Sequence, residues 1–84
     1  MEFVNMNDYR NKDIFIIYFE WWAGNCNMGF WTGECNGEIQ DYHTKEALIE
    51  MAERMGKEWI VFRHHKGKLR PKVSISARGG KKLN

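Results

Sequence analysis

Eighty-four residues, 43% hydrophobic and 29% charged, make one globular domain, too short for a second core and too apolar for a disordered chain. The net charge of +2 conceals a split. Residues 1–58 set five cations against all eleven acids, leaving −6, whereas residues 59–84 hold eight cations and no acid, giving +8.

Residues 1–12 mix Asn, Asp, Arg and Lys, and read as irregular, with Phe3 and Val4 able to add a short edge strand. They show no basic stretch followed by an apolar run, and no later segment approaches the roughly 20 apolar residues of a membrane span. A cytoplasmic protein with no membrane association is expected. Ile14–Trp22 (IFIIYFEWW) is β-branched and aromatic with one charge, the composition of a buried central strand. Alternation places Phe15, Ile17, Phe19 and Trp21 on one face, expected to pack on a helix. Ile14, Ile16, Tyr18, Glu20 and Trp22 take the other, which is either a covered second face or a partly open aromatic surface. Residues 23–27 (AGNCN) form a turn, and 28–35 (MGFWTGEC) return as the second strand of a hairpin. Asn36–Gly37 is a further turn signal, with 38–40 leading toward the helix.

Thr44 is the expected N-cap of that helix, with Glu46 in the first turn, where the helix dipole favours an anion. Leu48, Met51, Ala52 and Met55 recur at helical spacing as one apolar stripe, and Gly56 follows the C-cap. Residues 59–65 (WIVFRHH) are the third strand. Residues 69–77 (LRPKVSISA) are the fourth, with Leu69, Val73, Ile75 and Ala77 inward and Arg70, Lys72, Ser74 and Ser76 outward. Pro71 cannot donate to a ladder, which puts this strand at an edge. The expected fold is α+β in the order ββαββ, one antiparallel sheet packed on a single amphipathic helix. Residues 1–77 form the domain and 78–84 a flexible basic tail.

Candidate sites fall into two groups. Tyr18, Trp22, Phe30 and Trp31 flank one turn, and more rings gather there than a single helix covers. Tyr18, Trp22 and Trp31 are therefore candidates for stacking on unpaired bases or for anchoring a protein partner. Arg63, Lys66, Lys68, Arg70, Lys72, Arg78, Lys81 and Lys82 form the acid-free third, which suits phosphate or an acidic protein surface. Edge-strand cations also discourage sheet-to-sheet association, a role that fits Arg70 and Lys72 without explaining all eight. Cys26 and Cys35, nine apart without a C-x-x-C, match no zinc-finger spacing and are expected as free thiols of a reducing compartment. His64 and His65 are adjacent on a strand and point to opposite faces, so they do not share a metal easily. No nucleophile–base pair, paired carboxylates or glycine-rich phosphate loop is evident, so no enzymatic activity, metal or cofactor is expected.

The layout of residues 14–62, IFIIYFEWW, GFWTGE, TKEALIEMAERMG and WIVF in succession, resembles small accessory proteins encoded by phages and mobile elements, anti-CRISPR proteins among them. The resemblance implies a non-catalytic protein that inhibits or modulates a host nucleic-acid-processing complex from within the host cytoplasm. On that reading the helix carboxylates Glu46, Glu50 and Glu53 meet basic protein grooves, and the basic strand meets acidic or phosphate surfaces. The alternative is a module that binds DNA or RNA directly through Arg63, Lys66, Lys68, Arg70 and Lys72, with Trp or Tyr stacking.

Overall fold

The computed structural model describes residues 2–22, 25–65 and 72–80, with the side chains of 21, 22 and 25–28 outside the description. In chain order the elements are α1 (Asn7–Arg10), β1 (Ile14–Trp22), β2 (Asn25–Cys35), β3 (Glu38–His43), α2 (Lys45–Arg54), β4 (Glu58–His65) and β5 (Lys72–Gly79). Among the described residues the five strands form one sheet in the order β3-β2-β1-β4-β5. β1 is central, as its composition predicts. The sheet is mixed, however, because β4 runs parallel to β1 while the other pairs are antiparallel. This corrects the expected ββαββ antiparallel layout. Residues 38–43 are a third strand, and α2 then carries the chain back across the sheet to the far side of β1, as a parallel pairing requires.

Asn36 and Gly37 make the turn into β3, with φ of 54° and 81°. Positive φ at both central residues is the hairpin turn whose twist matches that of the flanking strands, and Asn-Gly is its preferred sequence. Thr44 caps α2 as expected, its hydroxyl accepting from the Ala47 amide.

Both faces of β1 are covered over residues 15–18, which accounts for the continuous apolar run there. On one face Phe15 and Ile17 pack with Cys35, Val61 and the α2 residues Leu48 and Ala52. A Cβ at Gly33 would stand 2.5 Å from the Phe15 ring and 2.8 Å from Leu48 Cδ2, so glycine there admits the helix. Met55, expected in the same stripe, is instead 43% exposed at the C-cap. On the opposite face Ile16, Tyr18, Ile60 and Phe62 are buried, and Val4, Met6 and Tyr9 of the N-terminal segment pack against them. Val4 bridges Val73 on β5, its amide donating to the Val73 carbonyl at 2.7 Å.

A bulge at Ser76 interrupts the expected alternation of the last strand. Val61 faces Ala77 and Phe62 faces Ile75, with Ser76 left over. Ala77 is consequently exposed and Ser74 buried, the reverse of their expected placement. Arg78 and Gly79 belong to β5, Gly79 lying opposite Trp59, so the strand extends beyond residue 77, where a tail was expected to begin.

Candidate basic surface on the β4–β5 hairpin

Antiparallel pairing sets Arg63 opposite Ser74 and His65 opposite Lys72, so these four side chains share one surface of the hairpin. α2 packs across β1 to β4 and leaves this end of β5 outside its main footprint. Ser74 is 5% exposed, and a 2.7 Å hydrogen bond joins its Oγ to His65 Nε2 across the two strands. Phe3 completes the group. Its ring meets His65 edge-on with centroids 5.3 Å apart, and the Lys72 ammonium lies 5.0 Å from its centroid. Phe3 is nonetheless 46% exposed. An open depression of about 570 Å³ adjoins, lined by Glu2, Val4, Tyr9, Arg63, Ser74 and Ser76 among others.

Among the described residues neither Arg63 nor Lys72 has an ion-pair partner. Arg78 differs, since its guanidinium Nη2 donates to Glu58 Oε2 at 3.2 Å, which offsets part of its charge. Surface pairs of this kind contribute at most about 1 kcal/mol. His64 points to the opposite side of β4. Burial lowers its pKa from the ordinary value, with the adjacent His65 adding to the effect and Glu20 opposing it.

The aromatic candidates fare differently. Tyr18 is 5% exposed and is no surface anchor, which corrects that expectation. Its hydroxyl donates to Glu34 Oε1 at 2.8 Å, and Arg10 Nε donates to Glu34 Oε2 at 2.8 Å. Burial, then the Glu34 carboxylate, pushes the phenol pKa up to about 12, so it stays a protonated donor. Trp31 is half-buried on the helix face, where its ring meets Phe19 at 5.6 Å and the Lys45 ammonium at 5.6 Å. The side chains of Trp22 and Cys26 lie outside the description, and Lys66, Lys68, Arg70, Lys81 and Lys82 lie outside the described residues. Lys66, Lys68 and Arg70 fall in the segment that joins β4 to β5.

Phe3 is not among the candidates that the sequence singles out. The available signal was alternation in a two-residue edge strand. Once Val4 pairs with β5 and points into the core, Phe3 is turned to the other surface. A second exposed aromatic pair, Phe30 and Tyr42 at 5.3 Å, lies across the sheet near β3, where Glu20 stands opposite Phe30.

Cys35 is a buried free thiol whose pKa burial raises, the weakly reactive state. Among the described residues no three His, Cys, Asp or Glu side chains gather to hold a metal ion, and no helix is long and apolar enough to cross a membrane. Comparison with protein-family models, with curated proteins and with solved structures finds no match.

Proposed function

We propose that this is a non-catalytic binding protein that inhibits or modulates a nucleic-acid-processing complex, of the kind phages direct against host defence, CRISPR effectors included. The observation that carries the reading is the separation of charge onto different elements of one small sheet-and-helix unit. Glu46, Glu50 and Glu53 are exposed on α2, and Glu38 on β3. Arg63 and Lys72 are exposed at the other end, on the hairpin whose connecting segment adds Lys66, Lys68 and Arg70. A complex of protein and nucleic acid presents both complements, a basic channel and a phosphate backbone. Complementary charge of this sort speeds encounter and sets register more than it adds affinity.

The test is capture of partners by tagged protein from a bacterial lysate, with and without nuclease. Recovery of the same nucleic-acid-processing protein in both supports the proposal. Recovery of nucleic acid alone contradicts it and favours the second reading, direct binding of DNA or RNA. That reading draws on Arg63 and Lys72, exposed cations without a carboxylate partner among the described residues.

A further inference from the structure

We infer that the nucleic acid met by the hairpin is single-stranded, with an unpaired base stacked on Phe3 and the adjoining phosphates held by Arg63 and Lys72. The inference rests on the reading that the basic hairpin contacts phosphate, and it names the form of the strand. An apolar ring that is 46% exposed in a domain of this size loses favourable burial unless something covers it. Its surroundings determine what can. Lys72 at 5.0 Å and His65 at 5.3 Å flank the ring, and Arg63, Ser74 and Ser76 line an open depression that reaches Phe3's chain neighbours Glu2 and Val4.

Unpaired bases stack on such rings with little regard to sequence, whereas a duplex hides its base faces and offers only phosphates and groove edges. The other exposed aromatic pair, Phe30 and Tyr42, does not qualify. Glu20 lies opposite Phe30, and Glu38 is exposed on the same edge strand as Tyr42, surroundings that repel phosphate. Glu2 is the carboxylate that lines the depression with Arg63, and it opposes the anion there. Charge thus selects one of the two exposed aromatic sites found among the described residues.

Fluorescence anisotropy with a labelled single strand of about 12 nucleotides, as DNA and as RNA, and with the matching duplex, tests this. The full chain is titrated at about 50 and about 200 mM salt, because phosphate contacts weaken steeply over that range. The single strands are expected to bind roughly tenfold tighter than the duplex. F3A and F3L, whose melting stays near wild type because the ring is half-exposed, lose that preference, and F3W keeps it. F3L retains apolar bulk without a π face, which separates stacking from packing. R63Q weakens single strand and duplex alike and lowers the salt slope by about one, and E2Q tightens both. Equal binding of single strand and duplex, with F3L unaltered, overturns the stacking assignment and leaves the phosphate reading standing. No binding of any oligonucleotide at low salt contradicts the phosphate reading, and the inference falls with it.

Discussion

Tyr18 shows how a residue's role turns on partners far along the chain. Its hydroxyl satisfies Glu34, a carboxylate whose side chain is 7% exposed and whose second oxygen is held by Arg10. Burying a carboxylate is costly unless it is both paired and hydrogen-bonded, and here the two donors come from the N-terminal segment and the central strand. Tyr18→Phe keeps the ring and removes the donor, leaving Glu34 Oε1 short of a partner. A loss of about 1–3 kcal/mol in chemical denaturation is expected. Alternation alone placed Tyr18 on a face that was either covered or open, because the covering residues Val4, Met6 and Tyr9 lie in a segment with no regular apolar pattern. The same segment hid Phe3. Nothing local in residues 1–12 indicates that Val4 pairs with Val73, nearly the whole chain away.

Elements with their own periodicity were legible, and those defined by neighbours were not. Ile14–Trp22 and the Thr44-capped helix α2 follow from composition, spacing and capping chemistry, and both are present. β3 has five of its six residues exposed, so EIQDYH carries little of the alternation that marks a strand and read as a lead-in to the helix. That one element changed the sheet from antiparallel to mixed. The Ser76 bulge had no sequence marker either, since an extra residue in a ladder is defined only by its partner strand. β4 carries a pH effect of its own. Burial, with His65 adding and Glu20 opposing, holds the folded-state pKa of His64 below its ordinary value of 6.5. The unfolded chain therefore takes up the proton first as pH falls. The stabilising contribution is complete above about pH 6.5 and is lost as pH drops through that value toward the folded pKa. Melting temperature is expected to decline between about pH 7.5 and about pH 5.5, and His64→Gln should flatten that slope. An unchanged slope in the variant would remove His64 from the explanation.

At the scale of the molecule, the charge imbalance between residues 1–58 and 59–84 was plain in the sequence, and the fold gives it direction. The helix carboxylates look out from one side of the sheet's centre, and the β4–β5 hairpin carries Arg63 and Lys72 beyond the helix. The aromatic half of the expected site was less legible. Ring content does not reveal which rings the core consumes, and Tyr18 and Trp31 were both drawn inward, by Glu34 and by Phe19 with Lys45. The proposal makes the two charged ends separable. The most direct measurement is capture from nuclease-treated and untreated lysate by wild type, by the triple variant E46K/E50K/E53K and by the double variant R63E/K72E. The triple variant is expected to lose the nucleic-acid-processing protein and the double variant to lose co-purifying nucleic acid, each with a melting temperature near wild type. If both variants capture what the wild type captures, the charged ends are not the binding surfaces and the proposed function is contradicted.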